Sequence, residues 1–279
     1  MTFEAAAPAT GSTATGQAGD PAAGPVAGFL AALAAGAVEI ADLTNRLSAD
    51  TPTLRLPEPF ANLIDFSLET VSEYNEPGPY WKHANIHTGE HIGTHLDAPI
   101  HWITGRDGHD VASIPPERLV GPAVVLDFTA EAAANPDFLL DVHHLQAWED
   151  EHGPLPEGGW VLYRTGWDAY AQDRARFLNT DENGSHTPGV TAEAAEWLAG
   201  TGIAGFGAET VGIDAGNAGA LNPPFPMHHF LLGADKYGIT SLQNLAKLPA
   251  TGAMVVVAPL PIVGGTGSPA RVLAFIPKA

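Results

Sequence analysis

An α/β architecture follows from three features of this 279-residue chain: short apolar runs with strand character, helical patterns lying between them, and Gly and Pro clusters that punctuate the two. No internal repeat is present, so neither a solenoid nor a propeller is indicated.

Taken in chain order, residues 1–25 are almost entirely Ala, Gly, Thr, Pro and Ser, and a segment with so little apolar surface cannot offset its ordering entropy. They read as a disordered low-complexity tail. Residues 26–38 have helix-forming composition and lead into a short strand-like stretch at 39–44. Between 48 and 80 the chain is rich in Pro, Glu and Asn without a clear period, which predicts loops with short strands. Apolar runs at 122–128, 160–164 and 203–207 predict buried strands. Helical patterns fill the gaps at 142–152 and 191–199, the second opening on Thr191 as N-cap with Glu193 in its first turn. The last third adds strands at 253–258 and 271–276, with Pro223-Pro224 and Gly264-Gly-Thr-Gly267 as turn-forming loops.

Composition removes several classes of function. Twelve Lys and Arg against thirty-two Asp and Glu give a net charge of −20, a field that repels phosphate backbones and anionic headgroups. Nucleic acid and membrane partners are not expected. No run approaches the roughly 18 apolar residues of a membrane span, and no Lys or Arg precedes Arg46, so the basic region of a secretory signal is missing. A soluble, cytoplasmic protein is the expectation. Cysteine is absent, which leaves His and carboxylate as the means of holding a metal. Gly205-Phe-Gly207 and the 264–268 stretch lack the spacing and the Lys of nucleotide loops, and no Gly-x-Ser-x-Gly elbow exists.

Six of the twelve histidines fall between His83 and His109, a density that packing does not require. Within this stretch stands His91-Ile-Gly-Thr-His95-Leu-Asp97-Ala-Pro-Ile-His101. On a regular helix His91 and His95 would share a face, but Gly93 and Pro99 favour a tight turn or a short helical piece that converges the side chains. Two imidazoles and a carboxylate suit Zn²⁺, Mn²⁺ or Fe²⁺ and leave coordination positions open, which points to catalysis.

The pattern His-x-Gly-Thr-His-x-Asp-Ala-Pro-x-His resembles the signature of the metal-dependent cyclase-like hydrolases, which include isatin hydrolases and bacterial kynurenine formamidases. Segments 181–188, 209–216, 223–228 and 267–269 are similar to the isatin-hydrolase branch, and the resemblance spans about residues 40 to 277. It implies a single hydrolase domain over 26–279 with that family's swivelling β/β/α barrel-like fold, and a homodimer or higher homo-oligomer. It also implies that His91, His95 and Asp97 are metal ligands and that His101 is the acid/base. His228, with His229 as its competitor, occupies the place of a ligand to a second metal in the formamidase branch. Gln243 stands where that branch carries a bridging Glu.

A neutral amide in that position removes the charge that would offset repulsion between two dications. One divalent ion is therefore expected, Mn²⁺ by resemblance with Zn²⁺ as the alternative, with Gln243 a possible oxygen ligand and Ser241 nearby. The expected reaction is metal-assisted water attack on a small aromatic cyclic amide of the isatin type, with a linear aryl formamide as runner-up. A polyketide cyclase and a metal-binding protein without turnover are the other classes. Trp81, Trp102 and Phe225 are candidates for an aromatic wall, and His83 and His87 for orienting the ligands. The family often places an aromatic near the first loop, whereas this chain reads Thr51-Pro-Thr-Leu-Arg-Leu-Pro57 there.

Overall fold

The structure, a computed structural model, describes residues 24–56 and 58–278. Residues 1–23 of the expected tail lie outside the described residues, and Gly24 and Pro25 are the N-cap and first residue of helix α1 (Pro25–Ala34). That helix stops short of the expected 26–38 because Gly36 adopts a left-handed φ of 70°, which ends helical geometry. The chain divides into two units, one running to Glu39 together with Lys278, the other covering Ile40–Pro277. Strand β1 (Val38–Asp42) fulfils the strand expected at 39–44. The larger unit holds everything that follows.

Its frame consists of β4 (His95–Asp97), β5 (Val120–Asp127), β6 (Trp160–Arg164), β7 (Gly205–Ala208), β8 (Tyr237–Thr240), β9 (Ala253–Pro259) and β10 (Gly267–Pro277). These seven close into a barrel in the order β4-β10-β9-β5-β6-β7-β8 and back to β4. The steps β5 to β6, β6 to β7 and β7 to β8 are parallel, and the remaining four are antiparallel. Parallel strands are covered on both faces, which is why 122–128 and 160–164 read as unbroken apolar runs instead of alternating ones.

The two faces bury against different partners. Val125, Trp160, Leu162, Ile239, Val255 and Val272 fill one core with their neighbours. Val124, Leu126, Val161 and Phe206 build the other, together with Leu145 and Trp148 of helix α2 (Val142–His152) and Leu198 of helix α3 (Ala192–Ala199). Both helices begin where the sequence predicts. Asp141 accepts from the His144 backbone N–H and Thr191 from that of Ala194, satisfying donors the first turn would leave open. Gly205 is required by close approach: a Cβ there would lie 2.4 Å from the Trp160 ring and 2.5 Å from the Tyr237 carbonyl oxygen.

Two elements were not separately legible. Between 48 and 80 the expected short strands reduce to β2 (Ser67–Glu73), which forms an antiparallel hairpin with β3 (Lys82–His87) just beyond that stretch; their cross-strand pair Leu68 and Ile86 is 61% and 68% exposed. Neither face is buried within the chain, so nothing imposes a two-residue period. Strand β4 spans only three residues, too few to show a period, yet it closes the barrel by pairing with both β8 and β10.

Candidate functional site

The site is built on β4. Successive side chains of a strand point to opposite faces, so His95 and Asp97 share one face while Leu96 turns into the core. Asp97 has Gly238 of β8 and Gly267 of β10 as its two cross-strand partners. Glycine at both positions leaves room for the polar cluster. A Cβ at Gly267 would lie 2.5 Å from His91 Cε1, and one at Gly238 would come 3.1 Å from Asp97 Oδ2. His91 reaches the same place through a turn in which Gly93 takes a φ of 62°. His91, His95 and Asp97 thus converge from a turn and a strand, with no helical piece at His91.

Hydrogen bonds fix the nitrogen that each imidazole presents. His95 Nδ1 lies 2.8 Å from the Gly93 carbonyl oxygen and 3.0 Å from Thr240 Oγ1. A carbonyl only accepts, so Nδ1 carries the proton and the Nε2 lone pair faces Asp97 Oδ1 at 3.3 Å. Thr266 Oγ1 donates to Glu90 Oε2 at 2.6 Å, and His91 Nε2 stands 2.9 Å from the same hydroxyl. The hydroxyl has one proton and the carboxylate takes it. His91 Nε2–H therefore donates to Thr266, and His91 Nδ1 faces Asp97 Oδ1 at 2.7 Å.

The gap between those atoms accommodates either one more proton or a cation. Burial pushes the Asp97 carboxyl up, but the positive charge and hydrogen bonds that His95 and His91 supply when that extra proton is present more than offset this and hold it well below the usual carboxylate range. A buried carboxylate facing two imidazole nitrogens is a donor set that fits a divalent ion. Among the described residues, His91, Asp97 and His101 present ligand atoms within 4.8 Å of one another. His95 flanks the same carboxylate.

His101 and His228 occupy the next layer. His101 follows Pro99 in a single 3₁₀ turn, and its ring stacks on His91 with centroids 4.0 Å apart. Burial drives its pKa down to about 3, so the imidazole is neutral near pH 7. His228 sits in a one-turn π-helix, Met227–Leu231, with its Nε2 4.0 Å from Asp97 Oδ2. Burial also presses its pKa down, but the Asp214 carboxylate, hydrogen-bonded to His228 Nδ1, outweighs that effect and raises it. Asp214 accepts from the backbone N–H groups of Met227 and His228 as well, so one carboxylate fixes both the turn and the ring. The His101 and His228 centroids are 5.4 Å apart. Two imidazoles pushed in opposite directions form a natural pairing of base and acid.

Above them opens a cavity of about 380 Å³, a volume typical of small-molecule sites. Its floor is His91, His95, Asp97, His101 and His228, and Glu90, Thr240, Ser241 and Thr266 also line it. The walls are aliphatic, from Pro52, Leu54, Leu56, Ala61, Leu63 and Val211. The expected aromatic wall is not there. Trp81 is half exposed beside the hairpin, and Trp102 packs against Phe225 and His228 without lining the cavity. The 51–57 loop, lacking an aromatic, supplies leucines instead.

Two further expectations need correction, and one alternative is resolved. Gln243 does not line the cavity: its backbone pairs with Leu43 and its side-chain amide donates to the Leu242 carbonyl. A ligand role would require that amide to turn away from its own backbone. His83 and His87 bond to Ser72 and Glu69 on the hairpin, so they do not orient the ligands. Of the pair His228 and His229, His228 reaches the cavity, while the His229 ring packs on Phe230. Sequence reasoning missed Asp214, Thr240, Glu90 and Thr266, whose hydrogen-bond partners in the site lie far away along the chain except for that of Asp214. For Glu90 the adjacency to His91 was a usable signal.

Comparison with known proteins identifies the chain's relatives. The Cyclase family model matches residues 41–215. The chain is 47% identical to the isatin hydrolase of Roseibium aggregatum over 91% of its own length and 98% of that protein's. It is 29% identical to the kynurenine formamidase of Bordetella avium, covering 82% of this chain and 94% of the other. A crystal structure of an isatin hydrolase bound to the product analogue thioisatinate superposes with a TM-score of 0.88 at 46% identity, covering 91% of this chain and 98% of that one. The motif, the seven-strand barrel and the matched length together establish that this chain belongs to the Cyclase family.

Proposed function

We propose that this protein is a metal-dependent amidohydrolase that opens a small aromatic cyclic amide of the isatin type to its ring-opened amino-acid carboxylate. The observation that carries the reading is the convergence of two tautomer-fixed imidazoles and a buried carboxylate on the floor of an apolar cavity. The similarity to isatin hydrolases over nearly the whole chain, one of them holding a product analogue, supports the substrate class.

His91 Nδ1, His95 Nε2 and Asp97 Oδ1 would hold one divalent ion, Mn²⁺ or Zn²⁺, which when bound polarises the carbonyl and acidifies water. The chain's own groups do the rest. The aliphatic walls bind the ring and exclude bulk water. His101, neutral at working pH, takes the proton from the attacking water as its oxygen bonds to the amide carbon. His228, kept protonated by Asp214, gives a proton to the ring nitrogen as the C–N bond breaks, and it is reprotonated as His101 gives up the proton it took. The carboxylic acid formed gives its proton to solvent, leaving an aryl amine and a carboxylate.

A homo-oligomer is part of this proposal, and the exposed apolar residues of the hairpin support it. The test of function is metal analysis of purified protein alongside absorbance assays with isatin and N-formylkynurenine. About one equivalent of metal with isatin turnover is expected. Turnover of the formamide alone would replace this reading with the formamidase one.

A further inference from the structure

The Gly264-Gly-Thr-Gly267 turn resembles a nucleotide loop only in composition, yet it supplies two contacts to a proposed metal ligand. Gly267 leaves space for the His91 ring. Thr266 presents its hydroxyl oxygen to His91 Nε2 at 2.9 Å and donates its own hydrogen bond to Glu90 Oε2 at 2.6 Å. The Thr266 carbonyl is anchored independently of its side chain, while its backbone N–H shares Glu90 with the hydroxyl. The carbonyl accepts from Ala98 N–H at 2.9 Å, and the N–H points at Glu90 Oε2 at 3.3 Å. All three residues line the cavity.

The two imidazoles are therefore oriented by different devices. His95 is set by a carbonyl two residues away in its own turn, and a carbonyl has no alternative polarity. His91 is set by a hydroxyl, which can donate or accept. Taken alone, Thr266 could donate to His91 Nε2 and drive the ring proton to Nδ1, the atom that faces Asp97. Glu90 removes that choice, because a carboxylate offers no proton and claims the one Thr266 has.

We propose that Glu90 and Thr266 are positioning residues acting in series on His91: the carboxylate polarises the hydroxyl, and the hydroxyl holds the imidazole with Nε2 protonated and Nδ1 free for the metal. The proposal rests on the metal-site reading given above. Partners of this kind typically change metal affinity by 10- to 100-fold.

The test is chelator competition against the metal-loaded enzyme, run with Mn²⁺ and with Zn²⁺. Thr266→Val keeps the shape and removes the hydroxyl, and it should weaken metal binding by about 10- to 100-fold. Thr266→Ser restores the hydroxyl and should return affinity to within about threefold of the parent. Glu90→Ala should weaken binding too, while the double variant Glu90→Ala/Thr266→Val should be no weaker than Thr266→Val alone, because a series arrangement is already broken at its second member. Unchanged affinity in Thr266→Val, failure of Thr266→Ser to recover, or additive losses in the double variant would each overturn the proposal. If Thr266→Val does not fold, Glu90→Ala compared with Glu90→Ala/Thr266→Ser in the same competition decides, since parental affinity in Glu90→Ala overturns it equally. A parent that holds metal but leaves isatin intact, with Thr266→Val still losing metal, would sink the functional reading and leave the relay standing.

Discussion

The floor and the wall of the cavity are made by opposite rules. On the floor, Asp97 is 1% exposed and His95 5%, both fixed by strand pairing and hydrogen bonds. On the wall, Leu54 is 41% exposed, Leu56 39% and Leu63 42%, in a loop that belongs to no strand of the barrel. The loop is tied down by polar contacts at its edge: Arg174 reaches the Thr51 and Thr53 carbonyls, and Arg55 donates to the Leu63 carbonyl and to Asp65. The difference separates chemistry from fit. Changes to the floor should be lost from kcat and from metal content, and changes to the wall should appear in KM.

The largest effect expected is that of His95→Ala. Without this ligand the metal and its contribution to transition-state charge stabilisation go together, several kcal/mol, so turnover should fall on the order of 10³-fold or more. Metal analysis after dialysis should find the site depleted. Retained metal with retained turnover would break the assignment of the floor. His101→Ala is expected to lower kcat by roughly 10²- to 10⁴-fold with metal content intact. Loss of metal in that variant would instead make His101 a ligand, as its position within 4.8 Å of the other donor atoms permits.

The wall is tested by Leu63→Ala, which removes three carbons from a half-exposed side chain. At about 0.8 kcal/mol per buried CH₂, halved for exposure, the loss is roughly 1 kcal/mol, or about fivefold in KM with little change in kcat. A fall in kcat of tenfold or more with KM unchanged would show that the wall takes part in chemistry and would erase the distinction.

The same contrast explains what the sequence could reveal. His91, His95, Asp97 and His101 lie within eleven residues, so their spacing alone points to the proposed metal site. The parallel strands were legible because burial on both faces makes continuous apolar runs, and the two helices because helical patterns fill the gaps between strands, the second opening on the Thr191 cap. The wall was not legible: half-exposed leucines in a loop have no period, and nothing local says that Pro52 and Leu63 flank one cavity. Thr266 was read only as part of a turn because its partner His91 is 175 positions away. Gln243 misled for the opposite reason. A position matched to a ligand elsewhere carries the role only if its side chain points inward, and this one bonds to the carbonyl of Leu242.

Behind the wall, one buried charge tests whether its support is as firmly fixed as the floor. Glu209 is 1% exposed and precedes Val211 and Gly212 of the cavity lining. Its Oε2 accepts from the backbone N–H groups of Thr165 and Trp167, while Oε1 is buried with no partner among the described residues. Burial, reinforced by the nearby Asp168, raises its pKa from 4.5 to about 7. The folded protein thus holds this proton more tightly than the unfolded chain does. The resulting stabilisation is full below about pH 4.5, declines as the unfolded chain ionises, and is gone once the pH has passed the folded value near 7. At 1.36 kcal/mol per unit the span is roughly 3 kcal/mol. Glu209→Gln has no proton to lose, so the stability difference between parent and variant, measured by urea unfolding from pH 4.5 to 8, should shift against the parent by about that amount. Turnover should change least of all the variants considered. A difference that stays flat across the range would mean that Glu209 ionises as freely inside the protein as outside it, and that this part of the wall opens to water.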